Sequence, residues 1–398
     1  MTESSMNPAA LTRIGDWLHR WVDTGRLAGA SVLIHHRGQT AFSACAGLAD
    51  RERALPMADD TVVRIYSMTK PLTSVALMML YEEGRFQLDD PIAATLPEFA
   101  TMHVWANPEQ LEGRDPVPAD RPITYRDLLT HTSGLTYGFM NATPVDAMYR
   151  DAGVDFQTST LDLAGVVALA ASMPLLAQPG TRWNYSIATD VIGHLVAVLS
   201  GRPFDAFLQE RVLDPLGMTE TSFAVRDDQR PRFAANYARD KNGAATLIDD
   251  PATSRFLTQR LPSGGGGLVG TAGDYMRFCR MLLGQGTLEG HRLLGRKTVA
   301  LMMSNHLDGD MAAMGQARFS ESTYTGIGFG LGFSVMLDPA RAQIVGTPGE
   351  CAWGGAASTA FWVDPPEDLA VVFLTQLTPS STYPLRRELR VLTYAALT

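Results

Sequence analysis

The stretch Ile65-Tyr66-Ser67-Met68-Thr69-Lys70-Pro71 sets a serine hydroxyl and a lysine amine three positions apart, at the start of an apolar helical pattern. Three residues is nearly one helical turn, so both side chains leave the same face and can meet. A serine hydroxyl is a weak nucleophile at neutral pH, and an amine held against it can take its proton. The free N–H groups and positive dipole end of a helix start favour an oxyanion forming there. Alone, Ser-x-x-Lys is a weak motif; its bland reading is a helix cap beside a solvated lysine. Coincidence is less expected here, because Lys70, Lys241 and Lys297 are the only lysines in the chain.

Outward from this stretch, residues 61–65 read as a short strand leading into the serine. Residues 72–83 read as the helix behind it, with Val75, Ala76, Met79 and Leu80 inward and Gly84 as its stop. Upstream, residues 10–24 have the period of an amphipathic helix. Residues 30–35 and 40–47 read as a hairpin turning at Arg37-Gly38. Near the other end, residues 328–337, 352–363 and 369–374 read as strands, and residues 383–396 as an amphipathic helix. Helix plus hairpin at the front, and strands plus helix at the back, predict an α+β fold. Its antiparallel sheet is built from both termini, 1–88 and 262–398, with the terminal helices on one face.

Between them, residues 89–261 change texture. Prolines are frequent, and helical periods appear at 161–172, 187–199 and 203–213. Thr124-x-x-Asp127 opens a short helix like a capping box. The expectation is a mainly helical domain inserted into the sheet domain, with Ser67 at the seam, where ligand clefts are favoured.

With 398 residues, 45% of them hydrophobic, the chain can bury a large core. A net charge of −9 argues against nucleic acid and anionic membrane surfaces as partners. Three scattered cysteines (Cys45, Cys279 and Cys351) give neither a disulfide framework nor a zinc pattern. No metal or cofactor is expected. His35, His36, His131 and His194 read as strand, capping or packing residues. Residues 1–7 show no leader pattern, and no apolar run reaches membrane-spanning length, so a cytoplasmic protein is the expectation.

A serine–lysine pair also needs a proton carrier to the leaving group. Tyr185, where Pro179-Gly180-Thr181-Arg182-Trp183-Asn184-Tyr185 meets a helix start, could point into the cleft. A second oxyanion donor could come from a strand edge with small residues, as at Trp353-Gly354-Gly355-Ala356. Ser67-x-x-Lys70, then Tyr185, then a glycine-containing strand is the order of elements in the serine β-lactamase and penicillin-binding protein superfamily, which the chain resembles. Leu128-Leu129-Thr130-His131-Thr132-Ser133-Gly134-Leu135 and Ser263-Gly264-Gly265-Gly266-Gly267-Leu268 are similar to its class C-related branch. Trp353-Gly354-Gly355 resembles the family VIII carboxylesterases.

The resemblance implies acyl transfer through an acyl-enzyme on Ser67. A neutral Lys70 and Tyr185 would move protons, with neither singled out as the primary base. Backbone N–H groups of Ser67 and Ala356 would hold the oxyanion. Trp353, Gly354, Gly355 and Tyr137 would bind a small ester substrate. Two departures bear on specificity. Trp353 stands where the superfamily has a lysine, and Ile187 where class C enzymes have an asparagine, so the resemblance implies neutral apolar esters over β-lactam acids. Acyl transfer to an alcohol or amine, weak β-lactamase action and cleavage of D-amino-acid peptides are the alternatives. Gly265-x-Gly267-x-x-Gly270 formally matches a dinucleotide fingerprint but lacks the preceding strand. The elbow Gly-x-Ser-x-Gly is missing.

Overall fold

A computed structural model describes the chain except residues 1–5, 106–115, 156–158, 242, 259–260, 316–317 and 320. Most of the polar stretch 1–7 therefore lies outside the described residues. The fold is organised by an eight-stranded sheet that runs Ile327–Phe329, Ser334–Met336, Cys351–Gly354, Ala360–Asp364, Leu369–Thr375, Gly29–His36, Gln39–Asp50, Leu55–Pro56. Every neighbouring pair is antiparallel. As expected, the two ends of the chain meet in its middle, where Val32 faces Phe373 and Ile34 faces Val371.

Leu369–Thr375 is buried at every position, so both faces of the sheet are covered. On one face, helices Pro8–Asp23 and Leu385–Tyr394 bury Ile14, Trp17, Leu18 and Leu389 against Val32, Trp362 and Val371. Glu388 ties these helices together by accepting from the indole N–H groups of Trp17 (2.6 Å) and Trp21 (3.1 Å). Helix Ala272–Leu283 covers the other face, with Tyr275 and Phe278 against Phe361.

Two expected strands are each a hairpin. Residues 328–337 divide into Ile327–Phe329 and Ser334–Met336, because Gly332 turns the chain at φ +106°. Residues 352–363 divide into Cys351–Gly354 and Ala360–Asp364. The turn between them closes with Gly355 N–H on Thr359 O (2.9 Å) and Ser358 N–H on Gly355 O (3.1 Å). Both breaks fall at glycines, Gly330-Leu331-Gly332 and Gly354-Gly355, set within apolar runs that read as continuous strands.

Helix Thr69–Glu82 is buried without interruption from Thr69 to Leu80. A helix covered all round belongs to a core rather than a surface. It packs against helix Ala188–Ser200. Of its buried hydroxyls, Thr73 Oγ1 donates to Gly264 O (2.9 Å) and Thr69 Oγ1 accepts from Leu268 N–H (3.2 Å), while Ser74 Oγ has no hydrogen-bond partner among the described residues. Asp127 and Thr124 form the expected capping box on Tyr125–Leu129. Residues 89–261 also hold a hairpin, Asn236–Arg239 with Ala245–Asp249, which pairs in parallel with Leu377–Thr378. Among the described residues no single helix is long and apolar enough to cross a membrane.

Candidate active site

Ser67 lies in a single 3₁₀ turn, Tyr66–Met68, immediately before helix Thr69–Glu82. Tyr66 takes φ +44°, a left-handed conformation that needs its surroundings to hold it. The segment before it is firmly tied. Gln376 accepts from Arg64 N–H (3.1 Å) and donates to Arg64 O (3.1 Å). The buried Arg64 guanidinium reaches Asp249 (2.7 Å) and Ala234 O (2.6 Å). Ser67 is thus presented from a rigid corner.

Tyr185 Oη lies 2.6 Å from Ser67 Oγ. Lys70 Nζ lies 3.5 Å from the same oxygen, 3.1 Å from Tyr137 Oη and 2.7 Å from Gly265 O. Nζ therefore faces two hydroxyl oxygens and one carbonyl oxygen. It also sits 4.5 Å from the ring centroid of Tyr185.

Tyr185 is placed by a zipper between two loops. Gly180 N–H donates to Thr132 O (2.7 Å), Asn184 N–H to His131 O (2.9 Å) and Ile187 N–H to Thr136 O (3.2 Å). The same zipper brings Tyr137 to Lys70. Tyr137 was expected to line the substrate pocket; instead it is buried, with its hydroxyl on Nζ. Burial, followed by the nearby Asp190 carboxylate, pushes its phenol well above the usual range. Ile187 is likewise buried in the core and does not line the cavity.

Sequence reasoning missed Asp190. It is buried and accepts from Ser263 Oγ and from Gly265 N–H (3.2 Å). Burial raises its carboxyl above the usual range. It fixes the glycine loop whose carbonyl faces Lys70. One helical turn after Tyr185, at a helix start, it reads from sequence as an ordinary first-turn acid. His131 is packed among rings, 5.1 Å from Tyr185 and 5.5 Å from Phe329 between centroids. Burial lowers its pKa well below the usual value, so it stays neutral.

Strand Cys351–Gly354 packs against the Tyr66–Met68 turn. The Trp353 ring lies 5.7 Å from that of Tyr185 and 5.3 Å from that of Phe329. Ser67, Tyr185, Trp353, Gly354, Gly355 and Ala356 all line one cavity of about 450 Å³. Its further walls include Tyr324, Ile327, Met336 and Ile344, with the half-exposed Phe139 at the surface. The sequence-derived candidates thus converge, Tyr137 from behind Lys70. Such an arrangement can form an acyl-enzyme: a serine hydroxyl flanked by the Tyr185 and Lys70 side chains, opening on an apolar cavity.

Residues 15–395 match the family model described as beta-lactamase. The chain is 37% identical over 365 residues to protein Rv1367c of Mycobacterium tuberculosis, covering 90% of this chain and 88% of that one. It is 31% identical over 400 residues to esterase EstB of Burkholderia gladioli, covering 94% of each. Among solved structures, EstCE1, "a hydrolase with promiscuous acyltransferase activity", superposes with a TM-score of 0.82 at 30% identity, covering 97% of this chain and 99% of that one.

Proposed function

The chain belongs to the β-lactamase family, on the side of its family VIII carboxylesterase-like members, and within it we propose a serine esterase that cleaves carboxylic esters of short to medium acyl chain. The observation that carries this reading is the meeting of Tyr185 Oη (2.6 Å) and Lys70 Nζ (3.5 Å) on Ser67 Oγ, in a cavity walled by Trp353. Ser67 attacks the ester carbonyl. Tyr185, reacting as the phenolate with Lys70 as its ammonium counter-ion and at true hydrogen-bond distance (2.6 Å), takes the serine proton as Oγ attacks. It passes that proton to the leaving alcohol and then takes one from water. Lys70 offsets the negative charge that develops on either oxygen. The N–H groups of Ser67 and Ala356 receive the oxyanion. Trp353 puts an indole where a cation would recognise a substrate carboxylate, which favours neutral esters.

A second reading is transfer of the acyl group to an alcohol or amine. It draws on the cavity volume of about 450 Å³, room for an acceptor beside an acyl-enzyme, and on the promiscuous acyltransferase activity of EstCE1. One panel tests both: nitrophenyl esters from acetate to octanoate, a chromogenic cephalosporin and a D-alanyl peptide, each with and without an added alcohol. Esters are expected to be turned over fastest, butyrate ahead of octanoate. A cephalosporin or peptide that outpaces every ester overturns the reading. An ester product formed faster than free acid moves the assignment to acyl transfer.

A further inference from the structure

The sequence pointed to Trp353-Gly354-Gly355-Ala356 as the oxyanion side without saying what holds it. Arg386, on helix Leu385–Tyr394, lines the same cavity as Ser67. Its Nη2 donates to Gly355 O (3.0 Å) and Thr359 O (2.9 Å), the two carbonyls that bracket the turn carrying Ala356. Gly355 C=O and Ala356 N–H belong to one peptide plane. A cation bound to the oxygen of that peptide fixes its tilt and polarises its N–H at the other end.

The two glycines make the contact possible. A Cβ on Gly354 would lie 2.5 Å from Arg386 Nη2, so the guanidinium fills the space a side chain would take. A Cβ on Gly355 would lie 2.4 Å from Ile65 O, so that glycine lets the turn press against the segment that carries Ser67. Glu321 anchors the arrangement from the other side, its Oε1 accepting Arg386 N–H (2.8 Å) at the helix start.

We propose that Arg386 is a positioning residue for the oxyanion donor: its guanidinium holds and polarises the Gly355–Ala356 peptide, and Gly354 is glycine to admit it. The proposal rests on the acyl-enzyme reading above. A planar fork with several N–H groups can bridge two carbonyls, whereas a single ammonium on a shorter reach serves them poorly.

The test uses Arg386→Lys, Arg386→Ala and Gly354→Ala, the last displacing the guanidinium without altering it. For a nitrophenyl ester, kcat is expected to fall about 10–100-fold with KM changed less than about threefold. Affinity for a phenylboronic acid, which becomes tetrahedral on Ser67, should fall in step with kcat. Millimolar guanidinium should restore part of the kcat of Arg386→Ala and none of that of Ser67→Ala. Should Arg386 variants fail to fold, Gly354→Ala still decides. Variants with kcat within twofold of wild type and unchanged boronate affinity overturn the clamp, as does a loss that guanidinium leaves unmoved. Fluorophosphonate labelling separates the two ideas. A wild-type protein unlabelled at Ser67 removes the acyl-enzyme reading and the clamp with it; a labelled, active wild type with unaffected variants removes the clamp alone.

Discussion

The two walls of the cavity are built on different principles. The Ser67 wall is the turn at the start of a helix buried from Thr69 to Leu80. The opposite wall is a turn of small residues, 355–359, near one end of a sheet, gripped by Arg386 and, behind it, Glu321. Packing fixes the helix of the first, because interiors are close to incompressible, with the Arg64–Asp249 pair tying the segment ahead of Ser67. Charge-assisted hydrogen bonds fix the second, and these depend on protonation and on single atoms. One wall should therefore answer to volume and the other to chemistry.

The largest expected effect is on the helical wall. Ser67→Ala should lower ester turnover on the order of 10⁴-fold or more and abolish the acyl adduct in intact-mass spectra. Near wild-type hydrolysis by that variant would remove Ser67 from the chemistry. Next, Leu77→Ala, at a fully buried position of the same helix, should cost about 2–5 kcal/mol in urea unfolding. The folded fraction should keep its kcat; a fall in kcat at full folding would show that this wall too is tuned chemically.

On the other wall, burial raises the Glu321 carboxyl to about 7 from its ordinary 4.5. The native state thus binds this proton more tightly than the unfolded chain. Its contribution is fully present below pH 4.5 and is lost as pH rises through 7, on the order of 3 kcal/mol in all. Glu321→Gln should lose less stability than wild type between pH 5 and 8 in denaturant titrations. Parallel pH profiles for the two proteins would break the link. The smallest effect is that of Gly355→Ala. The added methyl meets the Ile65 carbonyl, which cannot swing away, and kcat should fall about tenfold at a cost of about 1–2 kcal/mol in stability. An unchanged kcat would mean that the turn has slack.

The same division governs what could be read from sequence. Ser67 and Lys70 are three residues apart and Tyr185 follows a Pro-Gly loop, so spacing and local grammar exposed them. The sheet strands near both termini carried their own period. The wall proposed to hold the oxyanion is non-local. Arg386 and Glu321 sit in charged, ordinary-looking segments far along the chain from Gly355, and only folding makes them neighbours. The hairpins inside 328–337 and 352–363 escaped because glycine and alanine carry little periodicity. Tyr137 was found for the wrong role: an aromatic near a cleft reads as lining, whereas its hydroxyl is a ligand to Lys70.

The central strand pairing of the sheet has a consequence for how the protein is made. Gly29 and Thr375, joined by a hydrogen bond from Thr375 Oγ1, are 346 residues apart in the chain. At about 5–20 residues per second, strand Gly29–His36 waits roughly 20–70 s on the ribosome with one edge unpaired. For most of that interval Ser67 and Lys70 already exist, whereas Trp353 and Ala356 are made only near its close and Arg386 after it. On the proposed mechanism the nascent chain stays silent until strand Cys351–Gly354 and helix Leu385–Tyr394 have been made, and its exposed first strand is the surface on which chaperones would be expected to act.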